Sequence, residues 1–188
     1  MRRAIFLMLM TAMIASMAEA QATAAPEKNP VSNAMRNMLN RESKIIVAAA
    51  DEMPADKYDY HPTPAQMTFG HLIAHLAQSN NLLCSKISGA APPADPKISE
   101  SDPKDRLEPA LKASFDYCTQ VLANVDDSNL GTQITLYGTR TTSQAGAMFT
   151  LANDFFDHYS TEAMYLRLNG LLPPTAQQGP PPAAPAAH

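Results

Sequence analysis

The sequence predicts an all-α protein built as a four-helix bundle, and three observations carry that expectation. Apolar residues recur at spacings of three and four in four separate stretches. Capping and terminating residues bracket those stretches, and no convincing pair of strands interrupts them. Amphipathic helices with no sheet to pack on bury their apolar faces against one another.

Each helix is readable in turn. The first carries Met35, Met38, Leu39, Ile45, Ile46, Ala49 and Met53, and Pro54 stops it. Thr68 is a good N-cap for the second, which runs to about Ser88 with Gly89 as terminator. A proline-rich loop, A-A-P-P-A-D-P-K, leads to the third, whose stripe is Leu111, Phe115, Cys118, Leu122 and Val125. Pro109 is expected in the first turn of that helix or just before it. A connector, D-D-S-N-L-G-T-Q-I-T-L-Y-G-T-R, then reaches Thr142 or Ser143 as the cap of a fourth helix. That helix runs to Asn169 and ends at Gly170, with Pro173 and Pro174 beyond. The methionine content suits a plastic helical core and calls for no cofactor.

The two ends read differently. Arg2 and Arg3, an apolar run from Ala4 to Met17, and the small-x-small triplet Ala18-Glu19-Ala20 have the layout of a secretory signal peptide, residues 1–20. Cleavage after Ala20 would place the protein outside the cytoplasm, secreted or periplasmic, with no membrane span left. Residues 21–29 form a flexible lead-in, and the bundle occupies 30–172. From Pro173 to His188 the chain is rich in Pro and Ala, with almost no large apolar residue, and is expected to be disordered.

Charge and cysteine content narrow the partners. The formal net charge is −4, the charges are scattered, and no basic stripe is present, which argues against nucleic acid. Cys84 and Cys118 leave two readings open. An exported chain permits a disulfide, whereas two buried thiols would pack as small hydrophobes. In a simple antiparallel hairpin of the second and third helices the two positions would be offset along the axis.

The candidate chemistry lies in histidines and one aspartate. In N-D-F-F-D-H-Y, Asp154 and His158 are one turn apart and flank the stripe of Leu151, Phe155 and Tyr165. In T-F-G-H-L-I-A-H-L, His75 lies beside Leu72, Leu76 and Leu82. Ionisable groups at the edge of a core need a partner or a metal. His75, Asp154 and His158 would offer two nitrogens and one oxygen with open positions, a set suited to zinc, nickel or iron. The spacing equally fits a satisfied core His75 with an Asp154–His158 surface pair. His71 falls at the third helical position after the Thr68 cap, where a polar residue is expected for structural reasons; because it shares a face with His75, a role as fourth ligand stays open as the lesser reading. Asp157 and Glu162 read as solvated helix charges and Arg167 as structural. No glycine-rich phosphate loop, G-x-S-x-G or C-x-x-C is present. A Ser-His-Asp triad stays open, although no serine stands out.

Three segments carry a resemblance: K-Y-D-Y-H-P-T-P-A-Q-M-T-F-G-H-L-I-A-H-L-A (57–77), L-K-A-S-F-D-Y-C (111–118) and D-H-Y-S-T-E-A-M-Y-L-R-L-N-G-L-L-P-P (157–174). Together they resemble the DinB-like (YfiT-like) superfamily, closest to its exported bacterial branch. The resemblance implies a four-helix bundle, often dimeric, with a divalent metal held by three residues, usually histidines. One comes from the second helix, at the position of His75. Two come from the fourth as H-x-x-x-H; the second matches His158, and the first is Asp154 here. Relatives commonly carry Gln at the position of His71 and Gly at that of Ser160. Characterised relatives include thiol-dependent transferases and isomerases and proteins assigned as metal hydrolases. The expected function is metal-assisted chemistry on an unknown small molecule, with catalytic residues unassigned. A non-catalytic or stress-associated bundle with a degenerate site is the alternative.

Overall fold

The computed structural model describes residues 26–94 and 97–177. The expected signal peptide, and the tail beyond Gln177 with His188, lie outside the described residues. The chain divides into Met1–Pro30 and Val31–His188, and of the first unit residues 26–30 are described. The elements are α1 (Pro30–Glu52), α2 (Phe69–Ser88), α3 (Lys104–Leu122), β1 (Gln133–Tyr137), β2 (Arg140–Ser143), α4 (Gln144–Leu168) and α5 (Pro174–Gln177). The four long helices form the bundle that the periodicity predicts. Their facing sides supply a core that includes Leu39, Ile46, Ile73, Leu76, Leu111, Phe115, Leu151 and Phe155, all buried. Among the described residues no helix is long and apolar enough to cross a membrane.

Caps set the helix ends. The Thr68 hydroxyl accepts from the His71 amide at 3.0 Å, and Gly89 closes α2 with φ +73°. Ser143, one of the two expected caps, accepts from the Gly146 amide. At the start of α1, a carboxylate distant in sequence does the capping. Asp127 accepts from the Val31 and Ser32 amides at 3.0 and 2.8 Å and from the Ser32 hydroxyl at 2.6 Å.

Helices α2 and α3 run parallel. Gly70 approaches Leu107, Asn80 donates to Ser114, and Cys84 is bonded to Cys118, so positions advance together along both axes. The loop between them returns along α2: Tyr117 donates to the Ala91 carbonyl, Gln78 to that of Ile98, and Glu100 meets His71. Helix α4 is antiparallel to α2, since Gln144 reaches the Ile87 carbonyl and Tyr165 that of Met67. Helix α1 is antiparallel to α3, since Arg36 donates to Leu122 and Lys104 to Asp51. The order is up-down-down-up.

This topology corrects the cysteine argument. The offset holds for an antiparallel hairpin, whereas the long return loop makes the pair parallel and brings Cys84 and Cys118 level. They form a disulfide with Cα atoms 5.3 Å apart, within the usual range.

Four local expectations also change. Helix α3 begins at Lys104, so Pro109 lies in its second turn, where its missing N–H removes one backbone bond and the buried Leu107 and Leu111 hold the helix in place. The connector contains an antiparallel hairpin, with Gln133 opposite Ser143 and Thr135 opposite Thr141; Gly138 at φ +51° supplies its tight turn. The segment expected to be disordered from Pro173 instead begins with buried Pro173 and Pro174 and the short α5. There Thr175 accepts from Tyr159, and Gln177 donates to Glu52. Finally, Glu162 is a core residue with 0% exposure, while Asp157 is exposed as expected. Its periodic position on α4 faces inward with Phe155 and Leu166.

Candidate metal centre

The antiparallel register of α2 and α4, fixed at both ends by the Gln144 and Tyr165 contacts, brings His75 opposite Asp154 and His158. Their donor atoms all lie within 4.8 Å of one another. The two imidazole rings stack with centroids 4.5 Å apart and planes inclined by 21°. Asp154 Oδ1 is 3.4 Å from His75 Nε2 and 3.6 Å from His158 Nδ1. His75 is about one-third exposed, and the other two are more enclosed, so the cluster opens to solvent on the His75 side.

Hydrogen bonding assigns the ring atoms. His158 Nδ1 donates to the Asp154 backbone carbonyl at 2.8 Å, which leaves a lone pair on Nε2 and fixes the ring. The side-chain hydrogen bond with Asp154 raises the His75 pKa, burial opposes it, and the Asp154 charge adds to the rise. Asp154 Oδ2 is buried with no hydrogen-bond partner. A carboxylate oxygen in that position is satisfied by a proton or a cation.

The donor set fits a divalent ion. Neighbouring ligands about 2.0–2.2 Å from a common centre lie roughly 2.8–3.6 Å apart, for octahedral to tetrahedral geometry. The His75–Asp154 separation of 3.4 Å already falls there. Ser79 Oγ lies 3.2 Å from His75 Nε2. A catalytic triad needs serine and carboxylate on opposite ring nitrogens. Both address Nε2 here, so Ser79, His75 and Asp154 do not form a triad.

His71 stands apart from this cluster. Its Nδ1 meets Glu100 Oε2 at 2.9 Å, and it borders a cavity of about 490 Å³ with Asp56, Tyr58, Asp59 and Asp102. None of the three clustered donors lines that cavity, and the convergence of ligand-type atoms makes the cluster the better candidate for chemistry. Spacing gave no signal for Ser79. It gave none for Tyr137 either, a hairpin residue whose phenol pKa is raised by burial and by the charge of Asp154.

Fold and site together define a helical bundle with a candidate metal centre in the groove between two antiparallel helices. Residues 38–161 match the family model described as the DinB superfamily, and the chain belongs to that superfamily. A DinB-like protein from Bacillus subtilis is similar in structure, with TM-score 0.60 and 18% identity over 72% of this chain and 92% of that one. A DinB-like protein from Bacillus cereus gives 0.59 and 15% over 72% and 90%. A mycothiol-dependent maleylpyruvate isomerase gives 0.56 and 13%, over 69% of this chain and 59% of that one. At such identities the likeness is one of fold. No curated protein matches the chain.

Proposed function

We propose that this chain is an exported DinB-like protein that holds one divalent ion between His75, Asp154 and His158 and uses it on a small molecule. The observation that carries the reading is the convergence of donor atoms from His75, Asp154 and His158 within 4.8 Å of one another, on an aspartate whose second oxygen, Oδ2, is buried without a hydrogen-bond partner. When bound, such an ion lowers the pKa of a coordinated water or polarises a substrate oxygen.

The residues would divide the work. His158 is held in one tautomer by the Asp154 carbonyl, so its Nε2 is preset as a donor. Asp154 brings the negative charge that a neutral histidine lacks and binds with an oxygen. His75, on the solvent side, is the ligand nearest an incoming molecule. Tyr137, within electrostatic reach of Asp154, places the hairpin beside the site and supplies a phenol to contact a substrate. The isomerase among the structural neighbours makes thiol-dependent transfer a candidate reaction class. Export disfavours it, because low-molecular-weight thiols are chiefly cytosolic; hydrolysis is the leading class. Zinc, nickel and iron all suit the donors.

One observation favours a second reading. His75 and Asp154 face each other at 3.4 Å and can satisfy one another as an ion pair, which would make this a non-catalytic bundle without metal. Elemental analysis of protein purified without an affinity tag separates the two. The metal reading expects about one equivalent per chain, lost in His75→Ala and His158→Ala and kept in His71→Ala. Metal-free protein that takes up no zinc, nickel or iron on titration would leave the second reading standing.

A further inference from the structure

We propose that Ser79 is the fourth protein donor of this centre, with its hydroxyl in the first coordination sphere of the ion. The inference rests on the metal reading above. Ser79 lies one turn beyond His75 on the same face of α2, and its Oγ sits 3.2 Å from His75 Nε2. Several other helical hydroxyls turn back on the backbone carbonyls of their own helix: Ser85 donates to Leu82, Ser88 to Cys84, Ser114 to Leu111, Thr119 to Phe115 and Thr150 to Gly146. The contact of Ser79 instead faces the donor cluster.

The geometry around Nε2 explains why that matters. Two oxygens, Ser79 Oγ and Asp154 Oδ1, converge on this single nitrogen at 3.2 and 3.4 Å. If Nε2 carries a hydrogen, that hydrogen is divided between two acceptors. If it carries a lone pair, it accepts from Ser79 but meets a carboxylate oxygen with no proton between them. A cation removes the conflict, because all three atoms then direct electron pairs at one point. Both separations fall within the roughly 2.8–3.6 Å expected between neighbouring ligands of one ion. With His75 Nε2 on the ion, the Ser79 hydroxyl can no longer hydrogen-bond to that lone pair, and the nearest electrophile it faces is the ion itself. A neutral hydroxyl adds an oxygen donor without adding charge, which leaves the site at two nitrogens and two oxygens.

Cobalt(II) is the probe, because its spectrum reports ligand type without any assay of activity. Cys84 and Cys118 are bonded to each other, so the parent protein should show no thiolate-to-cobalt absorption. Ser79→Cys should acquire that near-ultraviolet band at one equivalent of cobalt, with the native bridge verified by mass. Ser79→Ala should bind cobalt about tenfold to a hundredfold more weakly than the parent, the usual effect of removing a supporting group at a metal site. Ser79→Thr, which keeps the hydroxyl, should bind within a few-fold of the parent. A parent that takes up cobalt while Ser79→Cys shows no thiolate band overturns the assignment of Ser79 and leaves the three-residue centre intact. Undiminished affinity in Ser79→Ala does the same, and it decides the matter if the cysteine variant does not fold. A parent that binds no cobalt at all removes the metal reading and this inference together.

Discussion

Position 162 holds a carboxyl group that nothing satisfies: both oxygens of Glu162 are buried and without a hydrogen-bond partner. Burial raises its pKa well above the ordinary 4.5. The folded chain therefore keeps a proton that the unfolded chain releases near pH 4.5. The stability is fully present below that pH and falls as pH rises towards the folded-state value. Glu162→Leu should stabilise the protein at pH 7 by about 1–3 kcal/mol, the scale of an unpaired buried polar group. The gain should shrink towards pH 4; an equal gain at pH 4 and pH 8 in thermal melts would show that the carboxyl is not what titrates. His75 obeys the same logic with a different partner. Its pKa is raised by Asp154, so in metal-free protein the pair stabilises below the ordinary histidine range and the contribution is lost as pH climbs through the raised value. Because Nε2 must shed that proton to ligate, zinc affinity measured by calorimetry should strengthen from pH 6 to pH 8. Equal zinc affinity at pH 6 and pH 8 would show that His75 does not ligate, and His75→Ala should bind no zinc at either pH.

At the scale of elements, the disulfide and one glycine fix how α2 and α3 meet. The Cys84–Cys118 bridge closes a separation of 34 residues. On chain-entropy grounds that is worth about 3–4 kcal/mol. The double alanine variant should lose about that much in denaturant unfolding, and thiol titration of the unfolded, unreduced parent should find no free thiol. Gly70 sits where the chain before α2, the return loop and α3 meet. A Cβ there would lie 3.2 Å from the Tyr58 carbonyl oxygen and 3.3 Å from both the Glu100 carbonyl and Leu107. Two of those three neighbours are backbone and give way poorly, so Gly70→Ala should destabilise by about 1–3 kcal/mol. Its effect on metal content should be small, because the donors sit further along the helix.

On the scale of the whole molecule, the up-down-down-up order places α2 antiparallel to α4 and thereby makes the site. The hairpin β1–β2 leads directly into α4 and carries Tyr137, whose phenol pKa is raised by burial and by the charge of Asp154. Export, part of the proposed reading, accords with a structural disulfide, which persists in oxidising compartments. Mass spectrometry of the native protein should find Gln21 or its cyclised form at the N-terminus. An intact Met1 in the membrane fraction would defeat that expectation.

The four helices were legible along the chain, because apolar spacing, Thr68, Gly89 and Pro54 act within a turn or two. It also placed Asp154 and His158 on one helical face, since a separation of four residues is a local matter. Joining His75 to them was one of two readings that the spacing left open, and the family resemblance favoured it, because no local rule ties α2 to α4. The features that packing settled are relations between helices. Whether α2 and α3 run parallel depends on where the loop of residues 89–103 goes, and with it the pairing of Cys84 with Cys118. Glu162 looked like a surface charge because charge argues for solvent, and packing overrode that preference. Ser79 carried no signal at all, since a serine in a helix is ordinary until its hydroxyl is seen facing an imidazole. Local interactions fix helices over a few residues, whereas the convergence of donors from separate helices is set by the packing of the complete core.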